Sequence, residues 1–242
     1  MQNYTYLIIN IACILIPLVV SFYPKHSFFK EWRYFLPANV LVALPFLIWD
    51  YVFTDRGIWG FNPDYLSGIY LLNLPLEEVL FFICIPYACV FTYFALTILV
   101  THNPLRKLHS LFTVFMIVTL GALGFYFFSH LYTSVTFIAT SFYLVFKWVK
   151  KRDLSYIYLA YLVIVPFFLM SNGILTGSWI EEPIVWYNNQ ENMGLRIITI
   201  PVEDSIYGFL LIMMNIDLYL YFKRHFKKSM NDRKLTKHFA NV

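Results

Sequence analysis

Charge is what this chain of 242 residues has least of. Only 13% of its residues are Asp, Glu, Lys or Arg, against about 25% in an ordinary soluble domain. With 60% hydrophobic residues, it reads as a protein of the bilayer, with little sequence left for a soluble domain. Cysteine is scarce as well: Cys13, Cys84 and Cys89 lie in apolar runs with no CxxC pair, and read as small hydrophobes. The six histidines, His26, His102, His109, His130, His225 and His238, fall at loops or span ends without metal-ligand spacing, which excludes a clustered iron site. No GxGxxG fingerprint for a flavin or dinucleotide is present. The expected metal and cofactor are therefore none. The last apolar run, 199–222, lacks the lysine that a Schiff-base retinal protein needs. The N-terminal MQNYTYLII has neither the basic n-region nor the cleavage site of a signal peptide, so it is expected as a retained span.

What the chain does have is long apolar runs. Seven are bounded by polar clusters, at 4–22, 36–53, 74–100, 108–128, 131–148, 155–171 and 199–222. The division at Ser129 and His130 is the faintest, but the block it splits is too long for one crossing. Placing alternate loops on opposite sides puts every Lys and Arg except Arg56 and Arg196 on one side. Insertion retains basic residues in the cytoplasm, which predicts an external N-terminus and a cytoplasmic C-terminus. The closing KRHFKK run is then an anchor at the lipid headgroups, and no nucleic-acid partner is expected.

The chain also repeats itself. At an offset of 126 residues Phe61 and Asn62 align with Tyr187 and Asn188, Gly68 with Gly194, Pro75 with Pro201, Glu77 with Glu203 and Glu78 with Asp204. Spans one to three thus correspond to spans five to seven, with span four as a linker. The expected fold class is an all-α integral membrane protein: seven helices as two parallel three-helix repeats. Boundaries are expected at 1–103 for the first repeat, 104–129 for the linker helix, 130–226 for the second repeat and 227–242 for a basic tail. One intervening helix leaves both halves running the same way, about an axis along the bilayer normal, with a cavity expected between them.

Two acidic pairs lie in this repeat, in LPLEEVLFF at 74–82 and IPVEDSIYGF at 200–209. A carboxylate in a span costs about 2.5–3.5 kcal/mol near the helix centre and marks a functional interior or cavity. An acid that keeps its proton there is suited to general acid chemistry. Behind a proline such acids also suit the first turn of a helix, a purely structural use. Helical spacing sets Glu77 on a face with Phe81, and Glu203 with Tyr207. Aromatic faces steady cations, so an acid beside rings suits protonation of an olefin. Trp59, Trp186, Asn62, Asn188 and Asp50 complete the expected pocket. Coupled carriers also place acids in parallel repeats, so a transporter with a proton-coupling carboxylate is the alternative.

Pro75-Leu76-Glu77-Glu78 and Pro201-Val202-Glu203-Asp204, one in each three-span half, make the chain resemble the fused, heterodimer-derived type of lycopene β-cyclase. The resemblance implies a redox-neutral isomerase. Such an enzyme protonates the ψ-ends of lycopene, closes each ring through a tertiary carbocation and gives β-carotene by way of γ-carotene. It makes Glu77 and Glu203 the expected acids, with Glu78 and Asp204 as acceptors or tuning partners. It implies a lipid-dissolved carotenoid as substrate, other enzymes of that pathway as partners, and relatives that make other rings or take longer carotenoids.

Overall fold

The computed structural model describes the backbone of residues 2–240, with side chains for all of these except His26 and residues 227–240. The side chains of the basic tail expected at 227–242 lie outside the described residues. Seven α-helices follow one another: α1 Thr5–Val20, α2 Trp32–Asp55, α3 Leu76–Leu99, α4 His109–Tyr126, α5 Leu131–Val149, α6 Ser155–Leu175 and α7 Val202–Ala240. The expected break at Ser129 and His130 falls between α4 and α5.

The described chain is mostly helical, as expected, but not wholly so. Six short strands occupy the two long loops: β1 Trp59–Phe61, β2 Tyr70–Leu71, β3 Leu74–Pro75, β4 Val185–Tyr187, β5 Arg196–Ile197 and β6 Ile200–Pro201. The hydropathy of α5 is also lower than its length implies. Among the described residues six helices are long and apolar enough to cross a membrane, and α5 is the one left out. Its buried face carries Thr133, Ser134, Thr136, Thr140, Ser141 and Lys147. These groups are tolerable inside because most find partners. Lys147 pairs with Asp217 of α7, and Tyr143 donates to the same carboxylate at 2.6 Å.

The two halves correspond element by element. Adding 126 carries α1 to α5, α3 to the start of α7, and each of β1, β2 and β3 onto β4, β5 and β6. Strand β1 pairs antiparallel with β4, Trp59 opposite Tyr187, Gly60 opposite Trp186 and Phe61 opposite Val185. Gly60 and Trp186 are themselves 126 apart, so the pseudo-two-fold axis passes through their pair. The equivalent bonds Asn62 N to Ile184 O, 2.8 Å, and Asn188 N to Ile58 O, 2.9 Å, extend the ladder on either side. Hairpins β2–β3 and β5–β6 each turn through a left-handed residue, Leu72 and Ile198, at φ 59° and 61°.

Packing interlocks the halves: α2 lies on α7 and α3 on α6, while α1 covers α3 and α5 covers α7. The fourth helix packs on α5, where a Cβ at Gly124 would stand 2.8 Å from Ile138. A continuous core of Phe28, Phe35, Phe46, Phe82, Tyr87, Leu144, Tyr158, Phe209 and Met213 fills the interior. The strand ladder caps one end of the bundle and places the starts of α3 and α7, with their acids, beneath it.

Candidate active site

A cavity of about 610 Å³ lies between α1, α3, α6 and α7, under the β1–β4 ladder. Ile9, Cys13, Phe81, Ile85, Ile164, Phe168 and Leu211 form most of its apolar wall. Its mouth lies between α1 and α6, where Ile16, Phe167 and Met170 line it while being 71%, 65% and 58% exposed. In apolar helices of spanning length such residues meet lipid, so the chamber opens sideways to the bilayer.

Three carboxyl groups reach this chamber: Glu78 of α3, Asp204 of α7 and Asp50 of α2. Glu78 accepts a hydrogen bond from Tyr6 of α1, and its repeat equivalent Asp204 accepts one from Tyr132 of α5 at 2.5 Å. The equivalence is complete, since Tyr6 and Tyr132 are also 126 apart. Asp204 then departs from it by accepting two more bonds at Oδ2, from Asn172 at 2.7 Å and Tyr187 at 2.9 Å. Tyr187 lies on β4, outside the spanning helices. Burial above all, then the Asp204 carboxyl, holds its hydroxyl well above the usual tyrosine range, so it remains a donor. Asp50 accepts from the Trp59 indole at 2.5 Å. Its equivalent 126 residues on is Thr176, which donates to Asn172 O.

The first acid of each pair goes elsewhere. Glu77 and Glu203 are fully buried and do not line the chamber. Glu77 accepts from Ser67 N at 2.7 Å, and Glu203 from the equivalent Met193 N at 2.8 Å and from Thr133 Oγ1 at 2.5 Å. Adjacent helical residues point about 100° apart. Within the first turn one acid therefore fastens the preceding loop while its neighbour faces the chamber.

Of the other expected pocket residues, Phe81, Trp59 and Tyr207 line the chamber, and each stands three residues from a chamber acid or bonds one directly. Trp186, Asn62 and Asn188 do not line it. The Trp186 ring lies over Gly60, where a Cβ would meet it at 2.3 Å. The two asparagines make equivalent turns, accepting from Asp64 N at 3.1 Å and Gln190 N at 3.0 Å. A polar loop residue beside an acid motif is thus a turn former here. Tyr6 and Tyr132 were absent from the expected site. Carrying the 126-residue register upstream to the first span would have paired them.

Aromatic rings gather over the acids. Trp59 stands 5.0 Å from Tyr132 and 6.2 Å from both Tyr187 and Tyr207, and Tyr132 stacks on Tyr187 at 5.8 Å. The arrangement suits proton transfer to an apolar molecule, with ring faces to steady positive charge. The family model described as lycopene cyclase matches residues 3–96 and 129–222, two segments again offset by 126. The chain belongs to the lycopene cyclase family. No curated protein and no solved structure matches it. Membership makes this cyclase an enzyme acting on a carotenoid, and a hydrocarbon substrate accords with its apolar walls and lateral mouth. Each family segment carries its half's hairpin and acid pair, and each half contributes one motif carboxyl to the chamber.

Proposed function

We propose that the cyclase is of the β type and converts lycopene through γ-carotene to β-carotene by a redox-neutral isomerisation. The observation that carries this reading is the meeting of Glu78 and Asp204, one from each half, in a single apolar chamber open to the bilayer. A carboxylic O–H in the chamber adds its proton to the terminal double bond of the ψ-end, leaving a tertiary cation. The neighbouring internal double bond attacks that cation, forming the ring carbon–carbon bond and moving the charge onto the ring. Loss of a ring proton to a chamber carboxylate gives the ring double bond. One proton enters and one leaves, so no electron carrier takes part.

Hydrogen-bond donors complement negative charge. Asp204 accepts three and is assigned as the proton acceptor; Glu78 accepts, among the described residues, only from Tyr6 and is assigned as the donor. Phe81, Trp59, Tyr187 and Tyr207 supply the ring faces for the cation. Glu77 and Glu203 are assigned as anchors for the loops that close the chamber. All seven helices cross the membrane on this reading, with the strand layer and N-terminus outside and the C-terminus cytoplasmic, as the placement of the basic loops supports.

Expression in a bacterium that accumulates lycopene, followed by chromatography of the extracted pigments, tests the proposal. A bicyclic β-ring product is expected. Unchanged lycopene with the protein in the membrane overturns the cyclase, and ε- or γ-rings overturn only the β assignment.

A further inference from the structure

A duplicated fold generates two equivalent clefts on either side of its axis, and here they differ. Every wall of the chamber has an equivalent near α2 and α5. Ala12, Ala88, Asn172 and Leu175 line the chamber, and at an offset of 126 they correspond to the bulkier Ile138, Met214, Phe46 and Trp49. Phe46 stacks on Trp49 at 5.8 Å, and both rings meet Tyr207 edge-on, at 5.2 and 5.1 Å. Tyr207 is thereby backed by two rings, whereas its equivalent Phe81 shares the chamber with Tyr6 at 6.5 Å. The second half is also drawn tighter. Tyr143 and Lys147 pin α5 to Asp217 of α7, while the equivalents of Tyr143 and Asp217 are Pro17 and Phe91, both lining the open chamber.

The acids do not divide in the same way. Glu78 and Asp204 both face the open side, so neither half owns a separate set of catalytic groups. Asp50 strengthens the asymmetry, because its equivalent Thr176 is no acid.

We propose that the protein has one catalytic chamber built jointly by both halves, that Phe46 and Trp49 fill the place of its twin, and that the two ends of a substrate react in successive visits. The half-cyclised molecule leaves through the mouth between α1 and α6, turns end for end in the bilayer and re-enters. In each visit the terminal double bond gains a proton from Glu78 and the new ring loses one to Asp204, so the proton must pass from Asp204 back to Glu78 before the second visit begins. This inference rests on the cyclase reading.

The test uses the purified full-length chain in liposomes carrying ¹³C-lycopene and a tenfold excess of unlabelled monocyclic γ-carotene. Successive visits predict free labelled monocyclic carotene before bicyclic product, and dilution of the label in the bicyclic pool by the unlabelled excess. Fully labelled bicyclic product, formed with no free intermediate, overturns the proposal. Glu78→Gln and Asp204→Asn supply a second readout. Loss of both ring closures to the same degree in each variant, with lycopene and with monocyclic carotene as substrate, supports one shared chamber, whereas a variant that closes the first ring at the wild-type rate and cannot close the second means that the halves serve separate ends. Unchanged lycopene with the wild-type chain would instead defeat the cyclase reading itself.

Discussion

Replacing Tyr132 by Phe probes the assignment of Asp204 most finely. The hydroxyl donates to Asp204 Oδ1 at 2.5 Å, one of three bonds that the carboxyl accepts. A hydrogen bond to a charged group contributes about 1.5–3 kcal/mol. If Asp204 receives the ring proton, it must stand ready as an anion while the cation forms, and the missing donor raises that barrier. At about 1.4 kcal/mol per decade the loss is roughly 10- to 150-fold in turnover. The ring itself remains, with its contacts to Trp59 at 5.0 Å and Tyr187 at 5.8 Å, so the fold and the apolar surface met by substrate are kept. The assay is the initial rate of ring formation at saturating lycopene in proteoliposomes, normalised to correctly inserted protein. The loss should fall on kcat, with KM little changed. Wild-type turnover in the variant would refute the role given to Asp204.

Three further outcomes follow from the surrounding structure. Thr133→Val removes a 2.5 Å bond to Glu203; it should lower stability by about 1–3 kcal/mol in thermal unfolding while leaving ring formation per folded molecule unchanged. Lys147→Met leaves the Asp217 carboxylate without its cation, at a cost of about 3–5 kcal/mol, and adding Asp217→Leu should restore much of the loss; detergent-resistant folded fraction reads both. Gly60→Ala places a methyl against the Trp186 ring, 2.3 Å from Cζ2, so it should destabilise the strand ladder by about 1–3 kcal/mol, visible as a lowered Tm and a shifted tryptophan emission.

The sequence carried the architecture because membrane insertion leaves strong, local signals. Apolar length marked the helices, and six of those described are long and apolar enough to cross a membrane. The repeat was legible for a different reason: Pro75 and Pro201 with their acids kept one register, and β1 to β3 and β4 to β6 keep the same offset of 126. Other features left no such trace. Strands of two or three residues are too short to show alternation, and β1 is fixed by pairing with β4, 126 residues away. The polar residues of α5 lower its hydropathy, although Thr133 and Lys147 are satisfied by α7.

The acid pairs were visible, but their division of labour was not. Spacing along α3 shows that Glu77 shares a face with Phe81, yet Glu78 is one residue nearer that ring along the helix. Which of the two enters the chamber depends on where the Ser67 and Met193 amides sit, and those are placed by the folded loops. The asymmetry of the two clefts likewise depends on aromatic packing between α2 and α7, as in the contact of Trp49 with Tyr207, which no single helix records.

The most direct test of the account compares Glu78→Gln with Glu77→Gln in the same lycopene-accumulating cells, at matched levels of membrane protein. Gln keeps the shape and an acceptor oxygen but cannot deliver a carboxyl proton. Glu78 lines the chamber, whereas Glu77 accepts from the Ser67 amide and does not line it, so on the proposed assignment the first variant should leave lycopene unchanged and the second should still produce rings. Bicyclic product from Glu78→Gln, with none from a properly inserted Glu77→Gln, would contradict the account.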